Sequence, residues 1–111
     1  MEIKINEFAQ EVHENAIAHG WWDEKRSFPE IIALIHSELS EALEEYRMGF
    51  DPDLIYPGKD GKPEGLPVEL ADAILRILDY CACVGIDIEE ALTIKHAYNK
   101  ERPYRHGGKV C

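Results

Sequence analysis

The chain has 111 residues, of which 22 are acidic and 12 are basic, so its formal net charge is −10. This length predicts one domain over residues 1–111, and the charge argues against unassisted binding to nucleic acid or to an anionic membrane. The three cysteines have no zinc-binding spacing, no apolar run is long enough to span a bilayer, and the first residues do not begin a signal peptide. We therefore expect a reduced, cytoplasmic protein without a nucleic-acid or membrane partner.

Four segments have apolar residues at three- and four-residue intervals, the spacing typical of helices. Gly20 ends the first segment, and Ser27 and Asp87 stand at cap positions before the second and the fourth. The turn-rich loop 49–65 holds four of the eight glycines, and loops of this length in compact domains are often functional. The pattern predicts an all-α, four-helix-bundle-like fold. Its helices are expected at about 5–19, 28–48, 66–85 and 88–102.

Histidine and tryptophan residues are grouped where the first predicted helix ends. His19 falls on the same helix face as Phe8 and Val12, a position that favours a histidine hydrogen-bonded within the core or between helices. Trp21 and Trp22, the only two tryptophans, follow directly. Adjacent aromatic residues usually pack in the interior, but one of this pair can present a stacking surface for a nucleic base.

The second predicted helix carries acidic residues along the border of its apolar face. Its apolar arc consists of Ile31, Ile35, Leu39, Ala42 and Tyr46. Glu38 lies at the edge of this arc with Glu45 beside it, and Glu41 lies about 60° further round the helix. Carboxylates in such positions repel each other and lose hydration, so they need a compensating cation or shifted pKa values.

The third predicted helix repeats this arrangement. Its apolar arc consists of Leu70, Ala73, Ile74, Ile77 and Cys81. Glu69 and Asp72 border the arc, so Glu69-x-x-Asp72 echoes Glu38-x-x-Glu41, and each pair lies on one helix face. If the two helices pack through their arcs, the four carboxylates converge, and such hard oxygen ligands suit Mg²⁺ or Mn²⁺. Arg76 lies among the acids of the third helix, either as a structural counter-ion or as a phosphate ligand.

The fourth predicted helix carries complementary chemistry. Lys95, Asn99 and Arg102 share a face with Leu92 and other apolar residues, so we expect them to face the bundle. A lysine on an apolar face often only extends to water, but three such groups in line favour phosphate binding. The tail adds further cations, of which Lys109 is the last, and an ordinary solvated tail is the simpler interpretation there.

With both acid pairs and these cations, the chain resembles the MazG-like all-α nucleoside triphosphate pyrophosphohydrolases, in particular their small stand-alone bacterial or phage-borne members. The hallmark of that family is an E-x-x-E pair followed one helix later by E-x-x-D, matched here by Glu38, Glu41, Glu69 and Asp72. The wider resemblance is carried by HGWWDEKRSFPEIIALIHSELSEALEEYR, KPEGLPVELADAILRILDY and KHAYNKERPYRHGGK. Together these stretches cover most of residues 13–109.

The resemblance implies an all-α NTP pyrophosphatase fold that dimerises through its helices, as a homodimer or as a dimer of dimers. It implies Mg²⁺, or Mn²⁺, held by the four acids, and hydrolysis of a nucleoside triphosphate to the monophosphate and pyrophosphate for house-cleaning of the nucleotide pool. Glu38 or Glu41 would take the proton of the attacking water. The residues expected at the phosphate chain are Lys95, Asn99, Arg102 and Lys109, and those expected around the base are His19, Trp21 and Trp22.

Other functions remain open at this stage. A phosphoribosyl-ATP pyrophosphohydrolase-like enzyme would share the helical metal site with a different nucleotide. A non-catalytic helical module that senses nucleotides or binds a partner is also possible, although the intact acid pairs argue against it. A di-iron carboxylate bundle is disfavoured because neither Glu38 nor Glu69 is followed by histidine at i+3.

Overall fold

The computed structural model describes residues 4–103 and confirms the all-α class. The helices are α1 (Ile5–Ala18), α2 (Phe28–Arg47), α3 (Leu66–Val84) and α4 (Ile88–Glu101), each within one residue of its predicted bounds. Within the loop before α3, two short strands form an antiparallel hairpin that the sequence did not predict. These strands are β1 (Tyr56–Pro57) and β2 (Pro63–Glu64). Across residues 4–103, no helix is both long enough and apolar enough to cross a membrane.

Side-chain caps begin α2 and α4 where the sequence predicts them. The Ser27 hydroxyl accepts a hydrogen bond from the backbone N–H of Glu30 at 3.2 Å, and the Asp87 carboxylate accepts one from the N–H of Glu90 at 3.0 Å. The Glu30 side chain does not complete a capping box, because it accepts a hydrogen bond from Arg26 at 2.9 Å. These caps satisfy donors that the first turn of a helix leaves free.

Helix α3 is central, because it packs against both α1 and α2. Ile31 and Ile35 of α2 form a buried cluster with Ala73 of α3, and Trp22 and Tyr80 pack against this cluster. The remaining buried apolar residues of the described chain are Ala9, Ala42, Leu78 and Cys81. The packing of α2 on α3 is the feature that brings the two acid pairs near each other.

The two predicted apolar arcs are only partly buried, which corrects the sequence analysis. On α2, Leu39 is 46% exposed and Tyr46 is 62% exposed. On α3, Leu70 is also exposed, and Ile74 and Ile77 are exposed by 55% and 40%. The physical reason is geometric: α3 turns one side to α1 and α2, and too little of α4 lies against its other side to cover it.

Helix α4 is joined to α1 at its beginning. Asn6 donates hydrogen bonds through its backbone N–H to Glu89 at 2.8 Å and through its side-chain amide to Asp87 at 2.7 Å, and its side-chain oxygen accepts one from the N–H of Glu89 at 3.2 Å. Residues 90–101 are exposed. The expectation that Lys95 and Asn99 face the bundle is therefore wrong for the single chain, because α4 extends away from the point where it is anchored.

The hairpin folds back onto the helices that carry the acids. The hydroxyl of Tyr56 donates to both carboxylate oxygens of Glu45 on α2, each at 3.0 Å. Gly65, at the start of α3, has φ +127°, and a Cβ there would collide with the carbonyl oxygen of Leu54. The loop thus lies close to the first turn of α3, where Glu69 is located.

Candidate metal centre

Three acidic side chains from two helices converge in the structure. Glu38 and Glu41 come from α2, and Glu69 comes from α3. One carboxylate oxygen of each residue lies within 4.8 Å of one carboxylate oxygen of the other two. The i, i+3 spacing of the α2 pair places both of its acids on the side that faces α3. The structure therefore brings together three of the four residues predicted as metal ligands.

The fourth predicted ligand, Asp72, lies at the border of this cluster. It is half-buried and lines the same pocket as Glu38. Burial raises the pKa of its carboxyl, and the negative charge of Glu38 raises it further, whereas the positive charges of Arg76 and Lys62 oppose the rise. Asp72 is thus within the electrostatic field of the three acids, although it is not one of the three that converge.

Glu69 is the most strongly perturbed member of the cluster. Burial, together with hydrogen bonding to Glu41 and the charge of that carboxylate, raises the pKa of Glu69 from 4.5 to about 7. Its Oε2 atom is buried and has no hydrogen-bond partner among the residues that the structure describes. A buried carboxylate oxygen without a donor is costly, and either a proton on this carboxyl group or a nearby cation would offset that cost.

Arg76 is a positive group in direct contact with the cluster. Its Nε donates to Oε1 of Glu38 at 3.0 Å, and Glu38 is only 8% exposed. The guanidinium carbon lies 4.6 Å from the ring centroid of Trp21. That of Arg26 lies 3.7 Å from the same centroid. Of the two roles left open by the sequence, Arg76 has that of a counter-ion in this structure.

A pocket of about 320 Å³ adjoins the carboxylates. Glu38, Asp72, Arg76 and Trp21 are among the residues that line it, together with Asn15, Leu75 and Asp79. Of the three residues predicted around a base, only Trp21 lies on this pocket. His19 is exposed, and its Nδ1 lies 2.9 Å from the carbonyl oxygen of Asn15.

Trp22 has a different role, in a buried group that the sequence analysis missed. Asp79 is 6% exposed, and its carboxylate accepts hydrogen bonds from Nε1 of Trp22 at 2.9 and 3.1 Å. Nδ1 of His13 lies 2.7 Å from the same carboxylate. The spacing of the acids could have indicated this group. Asp79 follows Asp72 by seven residues, or two helical turns, and therefore lies on the same face of α3. This group joins α1, α3 and the connection that carries Trp21.

The predicted phosphate-binding residues lie apart from the carboxylates in the single chain. The Nζ atom of Lys95 lies 5.0 Å from the ring centroid of Tyr98, and the guanidinium carbon of Arg102 lies 5.6 Å from it. Neither these two cations nor Asn99 lines the pocket beside the acids. Lys109 lies outside the described residues.

The arrangement combines hard oxygen donors with a pocket of mixed polarity. Glu38, Glu41 and Glu69 can offer oxygens to one divalent cation, and Asp72 stands close enough to act electrostatically on the same site.

Comparisons of the chain with protein-family models, with curated proteins and with solved structures found no match.

Proposed function

We propose that the protein is a Mg²⁺-dependent hydrolase that cleaves nucleoside triphosphates, ribo- or deoxyribonucleotides, to the monophosphate and pyrophosphate. One observation carries this proposal: carboxylate oxygens of Glu38, Glu41 and Glu69 lie within 4.8 Å of one another, and Glu38 also lines the pocket that contains Trp21. The resemblance of both acid pairs to the MazG-like pyrophosphohydrolases supports the choice of substrate. House-cleaning of the nucleotide pool is the role that this resemblance suggests.

The donor set fits a hard divalent cation. All the candidate ligands are carboxylates, the class of ligand that Mg²⁺ and Mn²⁺ prefer over soft metals. Within residues 4–103 the Oε2 atom of Glu69 has no hydrogen-bond partner, and the pKa of this carboxyl is raised, so a neighbouring positive charge would stabilise its ionised form. We propose Glu38, Glu41, Glu69 and Asp72 as the residues that hold the ion.

We assign the side chains of the site different roles in the reaction. A bound Mg²⁺ would supply charge neutralisation for the phosphate oxygens at this site. Glu41 is exposed, whereas Glu38 is buried, so we assign Glu41 as the base that takes the proton of the attacking water. The pocket lined by Trp21 takes the nucleoside, with the indole as its aromatic wall.

We propose that a second copy of the chain completes the site. Between α1, α3 and α4 lies a groove of about 530 Å³, and all the described residues that line it are apolar, including Phe8, Ile74, Ile77 and Leu92. Contiguous apolar surface of this kind marks an interface, and two copies burying it against each other would also cover the exposed arcs of α3. The exposed Lys95 could then reach the phosphate chain bound to the acids of the partner, together with Asn99 and Arg102.

The direct test measures pyrophosphate release from a panel of nucleoside triphosphates and phosphoribosyl-ATP with Mg²⁺, Mn²⁺ or no metal. We expect pyrophosphate and a monophosphate as products, because hydrolysis at the α-phosphorus yields these and removal of the terminal phosphate does not. The Asp72→Ala variant should lose this activity while keeping its helical circular dichroism. Glu11→Gln, which removes an exposed carboxylate of α1, is the matched control and should keep it.

The outcomes separate the possible functions. Metal-dependent pyrophosphate release from phosphoribosyl-ATP alone would identify the related enzyme class instead. Nucleotide binding without turnover in any metal would identify a sensing module. An Asp72→Ala protein with near-normal turnover would show that the metal site is assigned to the wrong residues.

A further inference from the structure

We infer that Arg76 is an exchangeable counter-ion, which neutralises Glu38 in the metal-free protein and moves to the phosphate chain when a divalent cation and a triphosphate bind. This inference rests on the proposed function and adds a residue that neither acid pair contains. It predicts that Arg76 opposes metal binding yet promotes hydrolysis, two effects of opposite sign from one side chain.

The contact between Arg76 and Glu38 leaves most of the guanidinium free. Within residues 4–103, Arg76 donates a hydrogen bond to Glu38 through Nε alone, so its two terminal nitrogens remain donors for another ligand. The side chain of Arg76 is 28% exposed, whereas that of Glu38 is 10% exposed. Arg76 also lines the pocket beside the acids, so its free edge borders the space where a substrate would lie.

The charge of the cluster explains why this ion pair exists. Glu38 is nearly buried and lies against the carboxylates of Glu41 and Glu69, so without a cation its charge would be both desolvated and repelled. Arg76 is the group that bonds to it. A divalent ion held by the same carboxylates would supply that positive charge directly, and the bond from Arg76 would then add little.

An arginine is well suited to the second half of the exchange. Its planar guanidinium matches the geometry of phosphate oxygens and remains charged at any physiological pH. Trp21 limits how far the group moves, since the guanidinium carbon of Arg76 already lies 4.6 Å from its ring centroid. Arg26 steadies that indole, because it contacts the ring at 3.7 Å and donates to the carbonyl oxygen of Trp21 at 2.9 Å.

The first experiment measures Mg²⁺ binding to the metal-free protein by calorimetry, without nucleotide. Arg76→Met should bind Mg²⁺ at least about threefold more tightly than the wild type, because the substitution removes both a competing positive charge and the hydrogen bond to Glu38. Arg76→Lys should bind with nearly wild-type affinity, since it keeps the charge. Arg47→Met removes an exposed arginine at the end of α2 and is the matched control.

The second experiment measures turnover by the same proteins. Arg76→Met should lower kcat/KM by about 30-fold or more, the scale for removing one preorganised charged donor from a transition state. Arg76→Lys should recover part of this loss but not all of it, because an ammonium group cannot make the bidentate contact. Loss of fold alone would lower both metal affinity and turnover, so it cannot produce opposite effects.

A third measurement uses the wild-type protein and is independent of whether the variants fold. Saturating Mg²⁺ with inorganic triphosphate, which has no base to stack on the indole, should change tryptophan emission as Arg76 shifts against the ring of Trp21. A Trp21→Phe protein should bind Mg²⁺ but lose this change. Unchanged wild-type emission, or Arg76→Met with wild-type Mg²⁺ affinity in a protein that hydrolyses triphosphates, would overturn the exchange and leave the proposed function standing. A wild-type protein that binds no Mg²⁺ would overturn both.

Discussion

Replacing Glu69 by Gln tests whether the carboxylates act on each other as the structure indicates. Burial and the neighbouring Glu41 raise the pKa of Glu69 from 4.5 to about 7, and the Oε2 atom has no partner within the described residues. Gln has nearly the same shape but remains neutral at every pH. The substitution therefore removes one charge from the cluster without leaving a cavity.

The sign of the effect follows from proton linkage. A carboxyl whose pKa is raised in the folded state stabilises the fold below its unfolded pKa, here 4.5, and loses that contribution as the pH rises to about 7. The metal-free wild type should thus become less stable over this range, and Glu69→Gln should not share the loss. Because Glu69 is only half-buried, solvent screens the effect, and we expect about 1 kcal/mol, or about 4–8 °C in Tm, at pH 8.

Thermal unfolding at pH 5 and at pH 8, with EDTA and then with Mg²⁺, is the assay. With EDTA, the Tm of Glu69→Gln should exceed that of the wild type at pH 8, and the difference should shrink at pH 5. Added Mg²⁺ should raise the wild-type Tm most at pH 8, where the carboxyl is ionised, and should raise that of the variant much less. Glu11→Gln is the control, because it removes an exposed charge of α1.

A Tm difference between Glu69→Gln and the wild type that is equal at both pH values would refute this reasoning. It would mean that Glu69 is ionised in the folded protein at pH 5, and that neither burial nor Glu41 perturbs it. An equal Mg²⁺ stabilisation of both proteins would refute the placement of Glu69 among the ligands, independently of the pH result.

Three further predictions address the rest of the molecule. Lys95→Met should lower kcat/KM for a triphosphate by about 30- to 1000-fold, equivalent to about 2–4 kcal/mol of transition-state stabilisation. Its Mg²⁺ affinity should be unchanged or higher. Wild-type kinetics would show that Lys95 is a solvated surface residue. Ile77→Glu should convert a dimer into a monomer in light scattering, and an active wild-type monomer would contradict the proposed interface. Asp79→Ala should destabilise the fold by about 2–4 kcal/mol in urea unfolding, because Trp22 and His13 lose their buried acceptor, whereas an unchanged midpoint would show that they find other partners.

Local patterns in the sequence were sufficient for the helices and for the acid pairs. Helix position depends on interactions between residues three or four apart and on caps such as Ser27 and Asp87, all of which can be seen in the sequence. The same spacing put Glu38 and Glu41 on one face and Glu69 on another. Their convergence requires only that part of the two arcs packs together, and in the structure Ile31 and Ile35 of α2 pack against Ala73 of α3.

Tertiary contacts account for what the sequence could not supply. The bond between Arg76 and Glu38 joins residues 38 positions apart, and the contact of Trp22 with Asp79 joins residues 57 positions apart. Patterns between residues three or four positions apart do not indicate which distant residue Arg76 or Trp22 contacts. The short hairpin was missed because strands of two residues have no periodicity to detect, and its bond from Tyr56 to Glu45 of α2 is a tertiary contact.

The two errors in the expected burial have one physical explanation. The sequence analysis predicted that Ile74 and Ile77 would be buried and that Lys95 would face the bundle, and all three are exposed in the single chain. Helical amphipathicity predicts that an apolar helix face is buried, but it does not predict whether the same chain or another chain buries that face. Ile74 and Ile77 line the groove between α1, α3 and α4, and every residue of the described chain that lines this groove is apolar. We therefore propose that both faces meet a second copy, which would bury the isoleucines and bring the cation of α4 to the acids of its partner.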